Sequence, residues 1–368
     1  MPDAERLAEV SPTLMAAIRR CGLAVHLGRT HRRHAGGWLS NPSARLGAAA
    51  HRVLGWVSAG GCTELGSFER EVAVRQRWCD EVTVEEQAAA RSPVESYFGP
   101  APSWPGYATT EERLVIEAGW LAAELSSSPD TERWVERPLT SSAPPMRGSP
   151  DLVVRSDDGA RIVEFKSGAV GLEDAQPSGR YGLQVLMYAA MVRQLGVPIA
   201  GAEIRPMGRA RITVGVSEAL IEQACEAVTA ALEAFNSAVD AGETSRLAQP
   251  SDDACGYCPH ILRCPAIWAA AGTKELDELQ VLEGTVQRVQ QAQVGSVAVE
   301  LDATGGTRLG VVTITGLDPR RLRAATDLHP GEQVRVSGLR SRPGGTGLVA
   351  RPGSWVQLAP VAGAGSDA

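Results

Sequence analysis

Residues 148–168, "GSPDLVVRSDDGARIVEFKSG", read as two short strands joined by a polar turn. Leu152, Val153 and Val154 ask for burial in the first strand, and Ile162, Val163 and Phe165 in the second. The charges stand at the strand ends: Asp151 opens the first strand, and Glu164 and Lys166 close the second. Strand side chains alternate, so Glu164 and Lys166 project to one face. A hairpin would also bring Asp151 and Glu164 to one sheet edge, where two carboxylates repel unless a cation lies between them. Mg²⁺ accepts such oxygen ligands, keeps several waters and binds phosphate oxygens. A lysine beside it can orient a water or stabilise charge as phosphorus is attacked. Taken alone, however, the stretch is better explained as a surface hairpin with solvated charges. Asp157 and Asp158 are turn residues on either reading.

Outward from this hairpin the chain alternates helices and strands. "SPTLMAAIRRCGLAVHLGR" (11–29) has Ser11 as N-cap and Pro12 at the first helical position. Further helices are expected at 42–61, ended by paired glycines, over "SFEREVAVRQRWCDEVTVEEQAAARS", and at 109–126 after the Pro/Gly-rich loop 98–106. "ERWVERPLT" has strand character; a strongly apolar helix covers 180–196, two strands lie in "GAEIRPMG" and "RARITVG", and a helix spans 217–240. From about 279 the texture changes to five short alternating strands with Gly-rich turns, which suggests a small barrel of the OB type. The tail 359–368 is expected to be disordered.

A length of 368 residues accommodates one large core and an accessory domain, with 43% apolar and 21% charged residues as in ordinary soluble proteins. Almost every basic residue is Arg, the only lysines being Lys166 and Lys274, so Lys166 stands where Arg would be the default. The net charge of −7 carries no gross nucleic-acid signature. Its distribution is uneven: residues 1–60 hold eight Arg against three acids, and 279–358 nine against six. Basic ends around an acidic middle fit phosphate contacts at selected surfaces, and equally fit solvated arginine-rich faces. No apolar run approaches a membrane span and no signal-peptide order opens the chain, which points to a cytoplasmic protein without membrane contact.

In that setting seven cysteines point to metal ligands or buried thiols rather than disulfides. Cys255, Cys258 and Cys264 form a compact cluster. Structural Zn²⁺ and iron–sulfur clusters both ask for four ligands, so the fourth comes from Cys21, Cys62, Cys79 or Cys225. His51 lies inside an otherwise apolar helix, where a lone histidine is more often a satisfied core residue. Gln184 and Tyr188, four apart on the 180–196 helix, share one face.

The ordered set Gly47-x3-His51-x2-Leu54, Gly148…Asp151, Glu164-x-Lys166 and Gln184-x3-Tyr188 resembles the PD-(D/E)XK nuclease superfamily. It is most similar to the RecB-like branch, which includes the AddB nuclease domain and CRISPR-associated exonucleases. The resemblance implies a restriction-endonuclease-like α/β core, with a mixed central sheet flanked by helices, over residues 1–272. It implies that His51, Asp151, Glu164 and the backbone carbonyl of Phe165 hold Mg²⁺ or Mn²⁺. Lys166 would assist the attacking water, and Gln184 and Tyr188 would support substrate and site geometry. It further implies a 4Fe–4S clasp on Cys21, Cys255, Cys258 and Cys264, with tetrathiolate Zn²⁺ as the alternative. His260, inside the cysteine cluster, is not used by the family pattern.

A barrel over 279–358 would bind single-stranded nucleic acid through Arg288, Arg320, Arg321, Arg335 and Arg340, with Trp355 as its only aromatic platform, or would dock protein instead. The leading expectation is a metal-dependent DNA nuclease acting on single strands or ends in repair, recombination or anti-phage defence. The competing one is a non-catalytic DNA-binding or assembly subunit; a nuclease for RNA or modified DNA is a third. No G-x4-G-K-[ST] loop occurs, so unwinding would need an ATP-driven helicase or defence-system partner in trans.

Overall fold

The computed structural model describes residues 6–30, 42–91, 100–128, 131–256, 258–271, 278–291, 295–317, 328–342 and 347–358. At its centre stands the hairpin of β4 (Leu152–Ser156) and β5 (Gly159–Lys166), antiparallel, with Leu152 opposite Val163 and Ser156 opposite Gly159. Gly159 closes the turn at φ +122°, where a Cβ would lie 2.6 Å from the Pro198 carbonyl oxygen, so glycine is required there. Around the hairpin runs a five-stranded sheet in the order β1-β4-β5-β6-β7, with β1 at Glu132–Val135, β6 at Ile199–Pro206 and β7 at Ile212–Val214. Only the β5–β6 pair is parallel. Its crossover is α5 (Arg180–Gln194), as a parallel connection demands.

Helices cover both faces. Val153, Ile162 and Ile204 enter one core with α5, α1 (Pro12–Thr30) and α6 (Glu218–Asp240). Leu152, Val163 and Phe165 enter the other with α2 (Pro42–Ser58), α3 (Ser67–Arg91) and α4 (Tyr107–Ser127). A strand buried on both sides loses polar alternation, which is why β5 reads as an almost unbroken apolar run. This is the mixed α/β architecture expected from the sequence.

One buried charge stands out. Arg205 on β6 is 1% exposed, and its guanidinium meets Glu203 on its own strand and Glu124 of α4, the latter at 2.7 and 3.0 Å. Arg161 of β5 and Arg211 also bind Glu124, so a carboxylate on α4 fastens that helix to the sheet.

Two expectations are refined. "ERWVERPLT" is two strands rather than one, because Glu136 adopts φ +46° and turns the chain between β1 and β2 (Leu139–Ser142). β2 pairs with β3 (Pro145–Gly148) in a separate two-stranded ribbon. The helix at 11–29 is interrupted: Cys21 has an extended backbone (φ −167°, ψ 103°) and kinks α1 there.

Residues Gln280–Leu358 carry β8 (Gln280–Gln291), β9 (Val297–Gly306), β10 (Gly310–Leu317), β11 (Gln333–Ser341) and β12 (Leu348–Leu358). They form a closed, OB-like barrel in the order β10-β12-β11-β8-β9, with β10 and β12 parallel. Val286, Leu301, Ile314, Val336 and Leu348 fill it. The barrel is tied to the segment before it. Asp252, which opens the short helix α7 (Asp252–Cys255), accepts from the N–H groups of Glu278 and Leu279 at 3.1 and 2.8 Å. The expected tail 359–368 lies outside the described residues. No helix among the described residues is long and apolar enough to cross a membrane.

Candidate active site

The β4–β5 register puts Asp151, just before β4, beside Glu164 near the end of β5. Alternation turns Val163 and Phe165 toward α2–α4, and Glu164 and Lys166 toward α5. There Gln184 waits. Its Nε2 donates to Glu164 Oε1 at 2.7 Å and to the Tyr188 hydroxyl at 3.4 Å, while its Oε1 accepts from Lys166 Nζ at 3.0 Å. Lysine can only donate, so the amide has one sensible orientation. Lys166 Nζ also donates to Glu164 Oε1 at 2.6 Å.

From the opposite layer, α2 reaches the same edge. His51 Nδ1 lies 3.1 Å from Asp151 Oδ1, and Asp151 Oδ2 accepts from the Phe165 N–H at 2.7 Å. Gly47, one turn before His51, allows this approach: a Cβ there would stand 2.8 Å from Ser167 Oγ. Gly148 does the same for α5, since its Cβ would meet Tyr188 Cε1 at 2.8 Å and Pro12 Cδ at 3.1 Å. All six side chains singled out for this site are brought together at one sheet end: His51, Asp151, Glu164, Lys166, Gln184 and Tyr188.

The electrostatics are those of crowded, half-satisfied acids. Glu164 is 3% exposed, and its Oε2 has no hydrogen-bond partner. Burial, then the Asp151 charge, pushes its carboxyl up to about 7 against the pull of Lys166. Burial alone would lower His51, but the hydrogen bond and charge of Asp151 outweigh it and leave the imidazole above its ordinary value. Burial raises the Tyr188 hydroxyl. An orphaned buried oxygen beside a second carboxylate and an imidazole is a donor set suited to a hard divalent cation. Among the described residues, no three His, Cys, Asp or Glu side chains are placed to hold a metal ion as they stand: His51 is bonded to Asp151, and Glu164 to Lys166.

This constellation lies within residues 9–265, which match a family model for the PD-(D/E)XK nuclease superfamily. The chain belongs to that superfamily. Comparisons with curated proteins and with solved structures return no match. Members of the PD-(D/E)XK superfamily are nucleases, and they generally use divalent metals such as Mg²⁺ or Mn²⁺.

Two features of this constellation went unread in the sequence. Lys166 Nζ lies 4.5 Å from the centre of the Tyr181 ring, and the Arg180 guanidinium lies 5.0 Å from it. Tyr181 is three residues before Gln184, so the helical face 181-184-188 was a legible signal. Beside Lys166 opens a cleft of about 630 Å³ that also takes in Arg19, Arg20 and Arg180. Its walls come from α1 and α5, which only the fold brings together.

The cysteines separate into two groups. Cys21, Cys255, Cys258 and Cys264 line one small apolar pocket with Ala24, Leu27 and Ile267. Cys62, Cys79 and Cys225 do not line it. The kink at Cys21 sets that residue against the C-terminal trio. Burial, with neighbouring thiols adding to it, pushes Cys255 up to about 11 and Cys258 up to about 12.

Of the barrel residues expected on DNA, Arg335 is put to another use. Its Nε donates to Glu283 at 2.6 Å, its Nη1 donates to the Leu262 carbonyl at 3.2 Å, and its guanidinium lies 4.8 Å from the centre of the Trp268 ring. Trp268 belongs to α8 (Pro265–Ala270), so this arginine fastens the barrel to the cysteine-bearing segment. Arg288 and Arg340 lie on β8 and β11. Arg320 and Arg321 lie outside the described residues, as does the side chain of Trp355.

Proposed function

We propose that the chain is a metal-dependent deoxyribonuclease that hydrolyses phosphodiester bonds, acting as an exonuclease on single strands or ends, in repair, recombination or anti-phage defence. The observation that carries the reading is Glu164: a buried carboxylate with Oε1 held by Lys166 and Gln184, Oε2 unpartnered, and Asp151 and His51 alongside. His51, Asp151, Glu164 and the Phe165 carbonyl would hold Mg²⁺ or Mn²⁺. When bound, such an ion supplies positive charge against the phosphate and makes a neighbouring water a better nucleophile.

The chain's own groups do the rest. Gln184 fixes Lys166 and Glu164 relative to each other through one amide. Tyr188 accepts from that amide and limits its rotation. Lys166 presents a fixed ammonium, suited to orient the attacking water and to stabilise negative charge as phosphorus is attacked. Hydrolysis then leaves a 5′-phosphate and a 3′-hydroxyl. An ATP-driven helicase or defence-system partner would supply unwinding in trans, and the cytoplasm would be the site of action.

The cysteines would carry a 4Fe–4S clasp on Cys21, Cys255, Cys258 and Cys264, spanning the nuclease unit 1–272 and leaving 279–358 as the barrel. Their gathering around one apolar pocket supports this. Anaerobically purified protein should be brown and contain iron; colourless protein with stoichiometric zinc would replace the cluster by tetrathiolate zinc. The nuclease reading is tested by incubating wild type and Lys166→Ala with Mn²⁺ and labelled single-stranded DNA. Wild type should cut and the variant should lose at least a hundredfold; equal cutting by both, or none by either on any DNA form, would sink the proposal.

A further inference from the structure

The cleft beside Lys166 has two walls. One is the first half of α1, with Arg19 and Arg20; the other is the start of α5 and the loop before it, with Arg180. Arg19 Nη1 donates to the Ser178 carbonyl at 2.8 Å and so straps the walls together. Arg20 and Arg180 are exposed, and among the described residues neither pairs with a carboxylate. Two acids also line the cleft. Asp174 is occupied by the Gly171 N–H at 3.1 Å, and Asp253 lies in the first turn of α7. Four cations, two of them without a carboxylate partner among the described residues, therefore line a cleft that adjoins the candidate active site.

Apart from the arginines and the two acids, the polar groups that line the cleft are engaged or unselective. The Tyr181 ring is engaged by Lys166 and Arg180, so a base stacking there would have to displace a cation. The Gln184 amide is consumed by Glu164, Lys166 and Tyr188. Thr13 and Ser178 offer only hydroxyls, which serve phosphate as readily as any base.

We propose that this cleft is a backbone track: Arg20 and Arg180 bind the phosphates flanking the scissile one, and the cleft reads no base. The proposal deepens the nuclease reading and rests on it for the substrate. Binding of a fluorescent oligo(dT) and of a mixed-sequence strand would be measured in EDTA over a range of salt concentrations, so that no cleavage is needed. Arg20→Ala/Arg180→Ala should weaken both strands at least tenfold, and should lower the log-affinity against log-salt slope by about 1.4, at about 0.7 per single-strand phosphate. Arg20→Lys/Arg180→Lys should restore most of the slope, which separates lost charge from lost fold. With Mn²⁺ the alanine pair should raise KM and spare kcat. Unchanged affinity and slope would overturn the track even if wild type cuts DNA; so would a loss confined to one of the two strands. Conversely, a slope that falls as expected in a wild type that cuts nothing would uphold the track and overturn the nuclease.

Discussion

Glu164 is where burial, charge and the proposed function meet in a single residue. Its carboxyl stands near pH 7 because it is buried beside Asp151, and the neighbouring imidazole is raised by the same acid. A cation binding here displaces protons from both. The apparent affinity for Mn²⁺ should therefore fall by at least tenfold per unit as pH drops below about 7, one proton being displaced from Glu164 and His51 adding to it. Stability follows with a definite sign. A carboxyl whose folded value lies above its ordinary 4.5 favours the fold fully below that pH, and loses this contribution as pH rises through about 7. Metal-free protein should thus lose stability over that window, while the rise in melting temperature caused by Mn²⁺ grows. Thermal unfolding with and without Mn²⁺ at pH 5.5, 6.5 and 7.5 checks both; a metal-induced rise that does not depend on pH would contradict them. The six proposed side chains, from His51 to Tyr188, were singled out by the ordered set that resembles the superfamily, since taken one at a time each had an ordinary structural explanation. Tyr181 and Arg180 were harder to find, since an aromatic and an arginine at a helix start have many ordinary uses.

At the scale of elements, the site depends on how closely α2, α5 and α4 approach the sheet. Gly47 and Gly148 set the first two distances by having no side chain where Ser167 and Tyr188 pass. The third is set by charge: α4 is fastened through Glu124 to Arg161, Arg205 and Arg211. Removing Arg205 would leave Glu117 buried without its cation and Glu203 with Arg161 alone; burial already raises Glu117, and Arg205 counteracts it. Arg205→Ala should cost about 3–5 kcal/mol, as expected when one partner of a buried ion pair is deleted. A urea midpoint within error of wild type would show that the network contributes nothing net. The α4 helix of this network was expected at 109–126, after the Pro/Gly-rich loop. The network itself was not, because a buried arginine looks like any surface arginine until its strand is placed. Likewise the break between β1 and β2 follows from the positive φ of Glu136, which no propensity marks.

Across the whole molecule, the cysteine segment is the joint between the two units. Cys255 sits at the end of α7, whose Asp252 caps the backbone entering the barrel, and Arg335 reaches back to Leu262 and Trp268. Arg335→Ala should weaken this docking by about 1–2 kcal/mol, the value of a partly buried cation–π contact, and lower the melting temperature by a few degrees. Because that guanidinium is turned toward protein, the salt slope of DNA binding should stay at the wild-type value. A slope reduced by about 0.7 would instead return Arg335 to the nucleic-acid surface.

What the amino-acid sequence determined by itself was local and periodic. The apolar runs of β4 and β5, the strongly apolar stretch of α5, the turn-rich texture after 279 and the short spacings Glu164-x-Lys166 and Gln184-x3-Tyr188 each depend on near neighbours in the chain. What the tertiary structure decided was everything that needs two distant segments at once. Examples are the kink that brings Cys21 to Cys255, the pairing of α1 with α5 around the arginine cleft, the burial of Arg205 and the inward turn of Arg335. Side-chain type and spacing are properties of the chain. Burial, partner and charge environment are properties of the packing, and they separate an exposed arginine ready for phosphate from a buried one that holds a helix.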